Sequence, residues 1–132
     1  MKIEITKERL NQIGGNILDA AITVHKELGP GLLESAYRIA LKKELELREL
    51  IVRMHVPVEL VYKGCELGKC YEIDLLVEEA VIVEIKSTDG VAPVFMAQVI
   101  TYLKLYNKSL GYLINFNVPL LKDGFKRLVH NF

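Results

Sequence analysis

The chain has 132 residues, enough for one domain with a buried core. It is 51% apolar and 26% charged, the make-up of an ordinary globular protein, and no apolar stretch approaches membrane-spanning length. Its 17 Lys plus Arg balance 17 Asp plus Glu, which argues against a protein that coats nucleic acid nonspecifically but leaves room for a local basic groove around a metal.

The opening Met1-Lys2-Ile3-Glu4-Ile5 holds no apolar run long enough for a secretion signal, so a cytoplasmic protein is expected. Thr6 is the expected N-cap of a first helix, in which Leu10, Ile13, Ile17, Ala20, Ala21, Val24 and Leu28 recur at helical spacing. Gly14-Gly15 weakens that helix locally and offers a close approach to another backbone, and Gly29-Pro30-Gly31 ends it. His25, just before the break, is read as a cap on the last carbonyls. A second helix is expected over 32–50, with Leu33, Tyr37 and Leu41 along one side, Tyr37 in the core, and Glu34 beside that stripe in the first turn.

From Ile51 the pattern turns to β. Residues 53–62 read as a strand in which Pro57 favours an edge or a bulge, and Lys63-Gly64 reads as a turn. Residues 71–77 and 81–86 form a hairpin closed by Glu78-Glu79-Ala80, followed by a loop over 87–93. A third helix is expected over 94–106, with Phe95, Val99, Tyr102 and Tyr106 at threes and fours, then an apolar strand over 110–116. The tail through Phe125-Lys126-Arg127-Leu128-Val129 adds a short strand or edge segment. The order is that of a mixed α/β domain spanning 1–132. The 2 cysteines, Cys65 and Cys70, are too few for a zinc site and are expected to be reduced, with a disulfide across the hairpin as the alternative.

Alternation along the hairpin puts Glu72, Asp74 and Leu76 on one side and Ile73, Leu75 and Val77 on the other, with Ile82, Glu84 and Lys86 sharing a face. A three-residue loop sets Asp74 opposite Glu84, and like charges facing each other across a ladder need a neutraliser. Mg²⁺ takes such hard carboxylate ligands together with waters and phosphate oxygens, polarises a phosphoryl group and lowers the pKa of a water. Lys86, on the face of Glu84, is placed to orient that water or stabilise the transition state. The same charges also fit a hairpin with one polar face, Glu72 opposite Lys86 being a plain cross-strand pair.

Two further features bear on this choice. Glu34, heading the second helix, is placed to reach the same metal, or else pairs with Arg38 four residues on. Gln98 and Tyr102, one turn apart, either aim together at a phosphate or base, or are a solvent residue and a core residue. Lys122, Lys126 and Arg127 form a small basic group that grips phosphates or is a solvated face. His55 and His130 stand alone and read as surface residues.

Glu on a core helix, Asp on the second strand, Glu-x-Lys on the third and Gln-x-x-x-Tyr on the next helix together resemble the PD-(D/E)XK nuclease superfamily. Gln98-Val99-Ile100-Thr101-Tyr102 is similar to the motif of its exonuclease-type branch. Gly31-Leu32-Leu33-Glu34-Ser35-Ala36-Tyr37 resembles the motif that names the GxxExxY family, as do His25 to Gly31 before it and Ile114 to Pro119 with Lys122-Asp123-Gly124 after it. Ile73 stands where the superfamily pattern nominally has proline.

The resemblance implies a restriction-endonuclease-like αβββαβ core, a mixed sheet flanked by helices, with an extra N-terminal helix. It implies Asp74, Glu84, the Ile85 backbone carbonyl and Glu34 as metal ligands, Lys86 as catalytic lysine, and Gln98 as a residue positioning substrate or site. Tyr102, Lys122 and Arg127 complete the expected substrate contacts. The expected activity is Mg²⁺-dependent hydrolysis of phosphodiester bonds, with Mn²⁺ substituting, in DNA rather than RNA. The alternatives are an inactive nucleic-acid- or protein-binding module on the same fold, or one half of a homodimer that cuts both strands.

Overall fold

The computed structural model describes residues 4–132, so the reading of Met1, Lys2 and Ile3 as free of a secretion signal lies outside the described residues. Helix α1 (Lys7–Leu28) starts where the Thr6 hydroxyl accepts the Arg9 N–H at 3.1 Å and stops at Gly29, in the left-handed region at φ 70°. Helix α2 (Glu34–Leu47) is shorter at both ends than the apolar spacing suggests. Strands β1 (Val52–Tyr62), β2 (Cys65–Val77) and β3 (Val81–Lys86) follow, then helix α3 (Pro93–Leu105), β4 (Leu110–Asn115) and β5 (Phe125–Val129), the last preceded by a 3₁₀ turn at Leu121–Gly124. With α1 and the edge strand β5 as added elements, this is the αβββαβ order.

The five strands lie side by side in chain order. Only β3 and β4 run parallel, joined by the α3 crossover, and the other neighbours are antiparallel. Helices α1 and α2 cover one face, where Ile13, Ile17, Tyr37, Leu41, Leu75, Val83 and Ile85 form the larger core cluster. Helix α3 covers the other through Tyr102 and Leu103 against Val56, Ile73, Leu76 and Ile82. Strands β3 and β4 are sandwiched between the layers, which is why both read as nearly unbroken apolar runs.

Three local expectations are corrected. Gly14 makes room for a side chain rather than a backbone: a Cβ there would overlap the Tyr112 hydroxyl. The His25 ring does not cap its own helix but bonds the Val118 carbonyl at 2.8 Å, tying α1 to the loop after β4. Strand β2 starts at Cys65, six residues earlier than its alternation suggests, because Lys63-Gly64 (φ 49° and 77°) is a tight hairpin turn. Cys65 and Cys70 therefore sit on one strand as free, exposed thiols and do not face each other across the hairpin.

The loop from β2 to β3 is the expected three residues, with Val77 opposite Val81. Glu78 and Glu79 both take φ 53°, and Glu78 is held there by accepting the Ile51 N–H at 2.8 Å and an Arg9 N–H at 3.1 Å. Among the described residues no helix is long and apolar enough to cross a membrane.

Candidate active site

The site begins where the β2–β3 ladder stops. The last antiparallel partners are Leu75 and Val83, and the next positions in that register are Asp74 and Glu84. There side chains take over from backbone: the Asp74 N–H donates to Glu84 Oε1 at 3.0 Å, and the Ile85 N–H donates to Asp74 Oδ2 at 2.8 Å. Each carboxylate is thus positioned by the other's strand, and the two strands are splayed apart at this point.

The strict alternation expected for β2 breaks at the same place. Leu75 packs with the α1–α2 cluster, whereas Ile73, two residues away, packs with the α3 cluster. The change is matched across the edge: Met54 faces α1–α2, Val56 faces α3, and His55 between them sits at φ 58°. Asp74 lies at the switch, so α2 approaches it from one side and Glu84 from the other.

Glu84 is only 4% exposed. Burial, and next the charge of Asp74, push its carboxyl up to about 8. The nearest cation to Asp74 is Arg38, whose pairing with Glu34 is the alternative that the helical spacing offers. Arg38 Nε lies 3.3 Å from Asp74 Oδ1, yet its N–H is not aligned for a hydrogen bond and is otherwise buried without a partner. It acts as a counter-charge without the directional bond that would satisfy it.

Lys86 projects on the Glu84 side of the strand, as alternation predicts. Its Nζ approaches Gln98 Oε1 at 3.5 Å and sits 4.6 Å from the Phe95 ring centroid. Gln98 in turn donates to the Tyr102 hydroxyl at 2.9 Å. Tyr102 is both core and site: its ring is 3% exposed, and burial followed by the Glu84 charge raises its phenol to about 12. The Glu72–Lys86 pair is not formed, and Glu72 lies nearest His55, at 3.7 Å.

Glu34 opens α2 and accepts the Ser87 N–H at 3.4 Å, just past Lys86. That position is built by the preceding connector. The buried Tyr37 hydroxyl donates to the Gly29 carbonyl at 2.5 Å and accepts the Leu32 N–H at 3.1 Å, while its ring stacks on Phe116 at 4.5 Å. Ser87 Oγ completes the clamp by donating to the Leu32 carbonyl at 2.6 Å. Asn115, inside the Ile114–Pro119 stretch but given no role by it, is the one polar residue ending the β4 apolar run. It is fully buried and bonds the N–H and C=O of Thr88, fixing the loop after Lys86.

The structure therefore brings together Asp74, Glu84, Lys86, Gln98 and Tyr102, with Glu34 at the rim. Among the described residues no three or more His, Cys, Asp or Glu side chains converge as a ready-made metal cluster. Asp74 and Glu84 alone form the close acid pair. Arg127 lies on the edge strand β5, bonded to Asn11 at 3.1 Å and stacked on Phe132, and shares no contact with the pair. Lys122 is exposed in the 3₁₀ turn, also without such a contact.

A splayed strand pair carrying two acids and a lysine, between a helix that offers a glutamate and one that offers a glutamine, belongs to the restriction-endonuclease-like class of folds. A family profile described as the PD-(D/E)XK nuclease superfamily matches residues 11–128, and the chain belongs to that superfamily. Its members are generally nucleases and typically use divalent metals, which makes nucleic acid the substrate class. No curated protein and no solved structure matches the chain significantly.

Proposed function

We propose that this chain is a metal-dependent nuclease of the GxxExxY kind, a single domain that hydrolyses phosphodiester bonds in DNA. The observation that carries the reading is the exchange at the end of the β2–β3 ladder. Two carboxylates, one of them buried, are fixed face to face by backbone N–H groups, with Lys86 on the same side as Glu84. Without metal the buried Glu84 holds a proton beside Asp74, a proton that a cation can replace, and an all-oxygen pair suits Mg²⁺, with Mn²⁺ as substitute.

Asp74, Glu84 and the Ile85 carbonyl would hold the metal, with Glu34 as a further ligand or an acid acting through water. When bound, the metal supplies Lewis-acid polarisation of the phosphoryl group and a more acidic water. The Lys86 ammonium stabilises charge developing on the phosphate oxygens. Gln98 holds Lys86 over Phe95 and relays its position to Tyr102.

Purified protein is expected to cut labelled DNA with Mg²⁺ or Mn²⁺ and not with chelator. Glu84→Ala and Lys86→Ala should each lower the rate by about 100-fold or more while the fold survives. Equal activity in wild type and both variants overturns the assignment.

The 17-to-17 charge balance favours one rival, a binding module that has lost catalysis. Calorimetric titration with Mn²⁺ separates the two, because the module has no reason to bind the ion. The nuclease reading carries a cytoplasmic location with Cys65 and Cys70 reduced. Light scattering decides whether two copies pair to cut both strands.

A further inference from the structure

A cleft of about 390 Å³ opens between β2 and α3, lined by Tyr71, Lys86, Phe95, Gln98, Thr101 and Tyr102. Three of these, Lys86, Gln98 and Tyr102, are already tied to the acid pair. Phe95 is half-buried with the Lys86 ammonium at its ring, whereas Tyr71, 39% exposed, touches neither acid nor lysine. Tyr71 is braced by Tyr102, ring centroids 5.7 Å apart and planes tilted by 55°. A second hollow of about 520 Å³ shares Tyr71 and Tyr102 and runs along the β1–β2 hairpin to Lys69. The two linings together offer aromatic faces, two cations, Lys69 and Lys86, and one acid, Glu72.

That composition is wrong for a duplex backbone, which is gripped by many Lys and Arg contacts to phosphates. It suits a single strand, whose bases are free to stack on aromatic rings while a few cations follow the phosphates. We propose, building on the nuclease reading, that this cleft receives an unstacked nucleobase next to the scissile phosphate, so that the substrate is nucleic acid that is single-stranded at the cut. Tyr71 and Phe95 are the stacking platform. The Gln98 amide and Thr101 hydroxyl face the edge of the base. Lys86 links the stacked base to the phosphate at the acid pair.

The test measures binding in Ca²⁺, using a fluorescein-labelled 15-nucleotide DNA single strand and the blunt duplex of the same sequence. A third probe is a single strand carrying 2-aminopurine, whose emission is quenched by stacking. Expected are tighter binding of the single strand by at least about tenfold, and quenching on binding. Tyr71→Ala and Phe95→Ala should each weaken single-strand binding by roughly 5- to 100-fold and relieve the quenching. Tyr71→Phe and Phe95→Tyr should restore both, and Mn²⁺ titration by calorimetry should be the same in all four variants.

Equal affinity for strand and duplex, or alanine variants that bind like wild type, overturns the proposal while leaving the nuclease reading intact. Failure of the wild type to bind Mn²⁺ or either DNA removes the nuclease reading, and the base site with it.

Discussion

Glu84 carries the sharpest energetic consequence at the level of single residues. Its carboxyl is raised from 4.5 to about 8 by burial and by Asp74. Between those values the folded protein keeps a proton that the unfolded chain has lost, so without metal its stability should fall as pH rises through that window. In chelator, the Tm at about pH 8 should lie on the order of 5–10 °C below that at about pH 5 because of this group, and Glu84→Gln should flatten the difference. An equal slope in wild type and Glu84→Gln would assign the pH dependence to other groups.

Arg38 makes the second residue-level prediction. Its guanidinium stands beside Asp74, where it neutralises the acid and also repels an incoming dication. Arg38→Gln should therefore tighten Mn²⁺ binding by about 3- to 10-fold in calorimetry. Weaker binding would instead make Arg38 the residue that holds Asp74 in place. The sequence shows this arginine one turn after Glu34 but not its partner, because the choice between a helix-surface pair and a reach across to β2 depends on how α2 is docked.

Among the elements, the connector from α1 to α2 shows why a short motif has the form it has. Gly31 takes φ 99°, Glu34 starts the helix, and Tyr37 turns inward to bond the connector's own backbone at Gly29 and Leu32. Tyr37→Phe keeps the stack on Phe116 and loses both bonds. It should cost about 1–3 kcal/mol in denaturant titrations and reduce Mn²⁺ affinity through Glu34. Unchanged stability would mean that the connector is held by packing alone.

The strands were partly legible for definite reasons. The three-residue loop and the Asp74–Glu84 register follow from the apolar runs on either side of Glu78-Glu79-Ala80, since register preserves which face is buried. The switch of faces at Asp74 was not legible. It depends on His55 in the neighbouring strand taking a left-handed conformation, which no local pattern signals.

For the molecule as a whole, charge balance has a measurable consequence. With 17 acidic and 17 basic residues, Lys86 in the base cleft and Lys69 in the neighbouring hollow, few counterions are displaced on binding. The slope of log affinity for single-stranded DNA against log salt should be shallow, about −1 to −2. A slope beyond about −5 would reveal a basic surface outside the cleft, and Lys122, Lys126 and Arg127 would be the first group to neutralise.

The order of elements and the layered α/β class were written in the sequence, and so was the list of acids, lysine and glutamine that the proposed site uses. Periodicity, turn residues and motif spacing are local properties, and the buried β3 and β4 strands announce themselves by composition. Tertiary structure alone decided which groups meet: Arg38 on Asp74, His25 on Val118, Asn115 on the loop after Lys86, and Tyr71 against Tyr102. It also bonded Arg127 to Asn11, out of contact with the acid pair. These are pairings between residues far apart in the chain, set by helix docking and by the twist and splay of strands. One-dimensional spacing does not encode such distances, whereas packing two layers against one sheet does.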